Sequence, residues 1–243
     1  VDELYEWQRA SWQKLLTLKQ RNRLPHALLF TGITGIGKLN FARRFARFML
    51  CQSPAEDACG QCKACLLAAQ GTHPDLVEVL PDEVGKPIKI DQIRELTRFI
   101  AGASQQGGFR VVIISPPEEM NVNAGNAVLK ILEEPGERTL FLLVSNNPGR
   151  LMATIRSRCQ VLPLGTPCYE EALQWLQKKS EVDNPDLLLS LNGGAPLRAL
   201  AFLRSGGVEK RRLLLEGLKG TASRRASVSD VAQQWQKLET AKL

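Results

Sequence analysis

The stretch PHALLFTGITGIGKLN, residues 25–40, constrains this chain more than any other. A short apolar run enters a glycine-rich turn, and beyond it Phe41, Phe45, Phe48 and Met49 recur at helical spacing. Strand, glycine loop and helix in that order open a parallel α/β unit. Gly32-x-x-x-x-Gly37-Lys38, with Gly35 inside it, matches the first seven positions of the phosphate-loop signature G-x-x-x-x-G-K-[ST]. In such a loop successive backbone N–H groups face phosphate oxygens and the helix adds its positive end. The lysine supplies a point charge. The eighth position calls for a hydroxyl to ligate Mg²⁺, and Leu39 has none.

A hydrolytic phosphate-loop enzyme also needs an acidic metal ligand at the end of a neighbouring buried strand. Here the strand RVVII (110–114) runs into Ser115-Pro116-Pro117, and Glu118 and Glu119 follow only beyond the two prolines, badly placed for a metal. With both elements missing, metal-assisted hydrolysis by this chain alone is not expected. Nucleotide binding stays open, because backbone amides and Lys38 can hold phosphate without a metal.

The rest of the chain repeats the strand–helix alternation. A leading helix is expected over residues 7–18 from Trp12, Leu15 and Leu16, a helix over 39–50, and a strand over 75–80. A helix carrying Ile93, Leu96, Phe99 and Ile100 follows. Gly107-Gly108 then introduces FRVVIIS (109–115), an almost wholly apolar strand of the kind buried on both faces. Residues 122–134 read as a helix stopped by Pro135-Gly136, TLFLLVS (139–145) as another buried strand and CQVLPL (159–164) as a short last one. Beyond Thr166-Pro167 strand signals stop. Short helices are expected over 169–179, 186–191 and 196–203, a hinge at Ser205-Gly206-Gly207, and two amphipathic helices around 213–218 and 231–238. The fold class is therefore α/β with a doubly wound, five-stranded sheet and a helical C-terminal part.

Six cysteines are present, and Cys51, Cys59, Cys62 and Cys65 fall within fifteen residues as C-x7-C-x2-C-x2-C. Four thiolates with two tight CxxC steps suit a tetrahedral Zn²⁺, and an all-thiolate site is closed and hence structural. An iron–sulfur cluster is the rival ligand, and free thiols the bland alternative. Cys159 and Cys168 lie outside the pattern and read as ordinary core or loop cysteines. The N-terminus lacks a signal-peptide core and no run of 18 apolar residues occurs, so no membrane association and a cytoplasmic location are expected. A net charge of +7 with pI near 9.2 is compatible with proximity to nucleic acid.

Together the phosphate loop, the cysteine module followed by GTHPD (71–75), NAVLKILEEP (126–135), FLLVSN (141–146) and SRC (157–159) resemble the clamp-loader branch of the AAA+ ATPases, over residues 1–240. The resemblance implies an AAA+ core over 1–165 with a zinc module at 51–65, a helical lid over 166–206 and the beginning of a helical collar over 207–243. A full collar needs more helices than 207–243 supplies, so a longer parent chain is expected. By position, Arg158 matches an arginine finger that reaches ATP in the adjacent subunit. Asn146 matches sensor 1, and Arg198 in GGAPLRAL matches the sensor-2 arginine. With Gly32, Gly35, Gly37 and Lys38 these complete a nucleotide site, vestigial or not.

The implied function is that of a non-hydrolysing, stator-like subunit. Its implied partners are the ATP-hydrolysing motor (gamma/tau) subunits and a clamp-opening delta subunit in a heteropentamer, and through that complex a sliding clamp and primed DNA. It would then be a component of a DNA-directed DNA polymerase holoenzyme. The rival is an active phosphate-loop ATPase of the motor type. A third reading is a zinc-bearing DNA-binding protein using Arg43, Arg44 and Arg47, against which stands an ordinary solvated basic face.

Overall fold

The computed structural model describes residues 3–83, 85–106, 108–223 and 227–237. Gly107, the last residue expected in the final helix (Leu238) and the end of the expected collar segment (239–243) lie outside the described residues. The chain divides into two compact units, Val1–Thr166 and Pro167–Leu243.

In the first unit a single turn at Glu6–Gln8 leads into α1 (Arg9–Gln20), then β1 (Ala27–Thr31), α2 (Lys38–Leu50), α3 (Lys63–Ala69), β2 (Leu76–Val79) and α4 (Ile90–Ala101). β3 (Arg110–Ile114), α5 (Val122–Glu133), β4 (Thr139–Val144), α6 (Ala153–Arg156) and β5 (Gln160–Pro163) complete it. The five strands form one sheet in the order β2-β3-β4-β1-β5, every neighbouring pair parallel. β1, β3 and β4 are buried along their whole length, as their unbroken apolar runs require of strands covered on both faces. The edge strands β2 and β5 expose Glu78, Gln160 and Val161.

Because all strands run the same way, the loops leaving β1, β3 and β4 gather at one edge of the sheet. That is where open α/β sheets bind ligands. The register sets Phe30 of β1 beside Val144 of β4, and Leu143 of β4 beside Ile114 of β3. The phosphate loop, Ser115–Pro116 and Asn146 therefore leave the sheet from adjacent strand ends.

The first two helices are joined by aromatic packing. Trp12 of α1 meets Phe41, Phe45 and Phe48 of α2 edge-on, at ring distances of 5.8, 5.9 and 5.7 Å. Burying each such side chain contributes about 1.5–3 kcal/mol. Two helices, α3 and α6, are not among those expected from the sequence, and α3 begins inside the cysteine module. At seven and four residues they are too short to show a period.

The second unit holds α7 (Tyr169–Lys179), α8 (Pro185–Leu191), α9 (Pro196–Arg204), α10 (Gly207–Ala222) and α11 (Val228–Lys237), with no strand among its described residues. α7, α8 and α9 close on Ala172, Leu176, Leu188, Leu189, Ala199 and Leu200. The three residues expected as a hinge differ in conformation. Gly206 makes a left-handed turn at φ 71°, whereas Gly207 is already helical, its α-carbon so near the Phe202 ring that a β-carbon would lie 2.5 Å away. No described helix is long and apolar enough to cross a membrane.

Candidate phosphate loop, surface arginine and metal centre

Residues 32–37 join β1 to α2. Gly37 takes φ 83°, and a β-carbon there would stand 2.3 Å from the Tyr5 ring. The glycine is thus needed for its backbone and for the close approach of the N-terminal segment. That segment straps the loop down. Trp7 Nε1 and Gln8 Nε2 donate to the Ile36 carbonyl at 3.0 and 2.9 Å, and Gln8 Nε2 also reaches the Gly37 carbonyl at 3.1 Å. Asn40 Nδ2 donates to the Tyr5 hydroxyl at 3.2 Å.

Lys38, only 4% exposed, turns its ammonium onto the loop itself, donating to the carbonyls of Gly32 at 2.8 Å and Ile33 at 2.7 Å. Burial pulls its pKa down to about 8, against the pull of the Glu118 carboxylate, which favours the charged form. Leu39 is half-buried and offers no hydroxyl. At the end of β3 stands Ser115, its backbone N–H bonded to the Val79 carbonyl, with proline rather than a carboxylate at the next two positions.

Glu118 is spent elsewhere. Its Oε1 accepts the backbone N–H groups of Asn146 and Asn147, both at 2.8 Å, tying the exit of β3 to the exit of β4. Its position past two prolines hid this role, since the bonded amides lie 28 and 29 residues away. The Asn146 side chain is exposed beside this edge. Arg198 is exposed on α9 of the second unit.

Arg158 lies in the turn between α6 and β5. Its Nη1 donates to the Thr154 carbonyl at 2.9 Å and its Nη2 forms an ion pair with Glu133 at the end of α5. The side chain is 34% exposed. Cys159 beside it is buried in the core, where burial pushes its thiol up to about 11. Cys168 is exposed at the start of α7.

The structure brings Cys51, Cys59, Cys62 and Cys65 together, their four sulfurs all within 4.8 Å of one another. Cys51 and Cys62 are 4.0 Å apart and Cys59 and Cys65 3.9 Å. A tetrahedron of thiolates at 2.3 Å from a zinc ion has sulfur–sulfur edges of about 3.8 Å, so two of the pairs already stand near that edge length and the set as a whole can close on such a metal ion by contracting about 1 Å or less. Backbone N–H groups of Cys59, Cys62 and Cys65 donate to the sulfurs of Cys51, Cys59 and Cys62 at 3.3–3.4 Å. Burial disfavours the Cys62 thiolate, but the N–H groups of Gln52 and Cys65 together with the Cys65 and Cys59 thiols outweigh it and bring that thiol down to about 6. Burial raises Cys65 to about 12.

The cysteine loop is tied to the fold by Trp12 Nε1, which donates to the Glu56 carbonyl at 3.1 Å, and by an ion pair between Arg44 and Asp57. Arg43 in turn clasps Glu78 at 2.7 Å. Arg43 and Arg44 are thus engaged by this chain's own carboxylates. His73, buried behind the module, accepts the Asp75 N–H on Nδ1 at 3.0 Å. It lines a cavity of about 160 Å³ together with Cys51, and burial lowers its pKa.

A phosphate loop on the strand next to one edge of a five-stranded parallel sheet, in a chain that continues into a helical unit, is the arrangement of an AAA+-type fold, here with Leu39 and Ser115–Pro116 at the positions where a hydroxyl and a carboxylate would hold magnesium. The fold agrees with a solved structure of a DNA polymerase III gamma subunit-related protein from Thermotoga maritima, at TM-score 0.51 and 21% identity over 84% of this chain and 62% of that one. A family model described as DNA polymerase III, delta subunit, matches residues 7–167. Curated relatives called DNA polymerase III subunit delta' include one from Pseudomonas aeruginosa, 43% identical over 96% of this chain and 71% of its own length. One from Escherichia coli is 35% identical over 88% of this chain and 65% of its own. The chain belongs to the DNA polymerase III delta-prime subunit family. It spans about two thirds of the length of the relatives it matches.

Proposed function

We propose that this chain is a non-hydrolysing, stator-like subunit of the polymerase III clamp loader, working in the cytoplasm, and that it lends Arg158 to an ATP site in a neighbouring subunit. The observation that carries the reading is the state of the phosphate loop. Lys38 is committed to the loop's own carbonyls, while Leu39 lacks the hydroxyl and Ser115–Pro116 the carboxylate that a phosphate-loop Mg²⁺ site uses. A guanidinium exposed at the surface can instead stabilise charge on a γ-phosphate supplied by another chain.

In this reading residues 1–165 form the AAA+ core, 166–206 a lid and 207–243 the beginning of a collar. Gly32, Gly35, Gly37, Lys38, Asn146 and Arg198 are remnants of a nucleotide site. Cys51, Cys59, Cys62 and Cys65 hold one structural Zn²⁺, which when bound fixes the loop between α2 and α3. The partners are the motor (gamma/tau) and delta subunits in a heteropentamer, and through them the sliding clamp and primed DNA.

The test is reconstitution of the loader with its full-length subunits. Arg158→Ala is expected to slow the ATP site it serves by on the order of 10³-fold while leaving ring assembly intact. Unchanged DNA-stimulated ATP hydrolysis in that mutant assembly would remove the finger role.

A further inference from the structure

We infer that Glu133 is a positioning residue for Arg158: its carboxylate holds the guanidinium at the surface in the orientation from which it meets the neighbour's triphosphate. The inference rests on the finger reading of Arg158. Glu133 closes α5 and Arg158 follows α6, and the two pair across 25 residues of sequence. Both ends of the pair are anchored. Ile131 and Leu132 sink the end of α5 into the core, and fully buried Ile155 anchors α6. The Arg158 N–H bonds the Ile155 carbonyl at 3.1 Å. α5 approaches the start of α6 so closely that a β-carbon on Gly125 would lie 2.6 Å from the Met152 sulfur.

A free arginine samples many rotamers and loses that freedom when it engages a phosphate. Here Glu133 takes one terminal nitrogen and the Thr154 carbonyl the other, at 2.9 Å. A guanidinium has five N–H donors, so Nε and one hydrogen on each terminal nitrogen remain for phosphate oxygens. The paired side chains are 34% and 50% exposed. An ion pair so wet adds little to folding stability. Its effect is on direction, and a finger must be placed within fractions of an ångström to act.

The experiment uses the assembled loader with Glu133→Ala, Arg158→Ala and the double variant, measuring kcat and KM for DNA-stimulated ATP hydrolysis. Glu133→Ala is expected to lower kcat at the affected site about tenfold, with KM for ATP within about twofold, since the loss is of alignment in the transition state. In the Arg158→Ala background it should do nothing further, because its effect passes through that side chain. Glu133→Gln, which keeps the acceptor without its charge, should restore part of the rate. The inference is overturned if Glu133→Ala leaves kcat unchanged or raises it while Arg158→Ala lowers it. It is also overturned if Glu133→Ala costs the same factor with and without Arg158. No effect of Arg158→Ala itself would mark failure of the finger reading rather than of the pairing alone.

Discussion

The ammonium of Lys38 donates to the carbonyl oxygen of Gly32 at 2.8 Å, so the side chain that defines a phosphate loop closes on the loop's own first residue. Its pKa of about 8 lies below the ordinary 10.5, because burial penalises the charge. Between those two values the unfolded chain binds more protons than the folded one, so stability rises with pH across that window. Urea unfolding of the native protein and of Lys38→Met, compared from about pH 7.5 to 10, should show the native protein gaining on the variant as pH rises. A difference that stays flat, or falls, would reject the buried cation.

Two separate deficits underlie the proposed lack of turnover, and one substitution separates them. Leu39→Thr restores a hydroxyl at the start of α2, but Ser115–Pro116 still supplies no acidic ligand. Mg²⁺-dependent phosphate release by the purified Leu39→Thr chain should therefore stay at background, as in the unsubstituted chain. Turnover within the range of working phosphate-loop ATPases, about 10⁻² s⁻¹ or faster, would show that the β3 exit is not the second barrier.

The central strands were legible because each is an apolar run that only double-sided burial can use. The faces of α2 and α4 were legible from their helical spacing. The cysteine set was legible because ligand chemistry imposes its own short spacing. What escaped reading depends on distant partners. The carboxylate of Glu118 serves amides at Asn146 and Asn147, that of Glu133 serves Arg158, and Trp7 and Gln8 reach a loop 29 and 28 residues on. No periodicity marks such contacts, since each is set by where the sheet brings two loops together. The ion pairs of Arg43 and Arg44 escaped for the same reason: Glu78 and Asp57 lie farther along the chain and close in space.

Gly37 tests the strap across the phosphate loop. Alanine there must hold φ near 83° and place a methyl group 2.3 Å from the Tyr5 ring, so it should destabilise the protein by about 1–3 kcal/mol in denaturant unfolding. Part of that cost is backbone strain and part is collision with Tyr5. Tyr5→Ala should remove the second part only. The double variant is then less destabilised than the sum of its parts, by about 0.5–3 kcal/mol. Strict additivity would mean that the ring and the glycine do not press on one another.

The four-cysteine site gives the most direct measurement. Purified protein should carry one zinc ion per chain, and Cys65→Ser should lose it, because a tetrahedral site left with three thiolates binds far more weakly. The exposed Cys168, outside the cluster, serves as control, and Cys168→Ser should keep the metal. Loss of the ion frees the loop that Trp12 and Arg44 tie to α1 and α2. Chelation should therefore lower stability by about 2–3 kcal/mol, or roughly 5–10 °C in melting temperature, and shift indole fluorescence as Trp12 loses its bond to Glu56. Iron with visible absorbance in place of zinc would assign the site to a cluster. Metal content unaffected by Cys65→Ser would move the binding elsewhere in the chain.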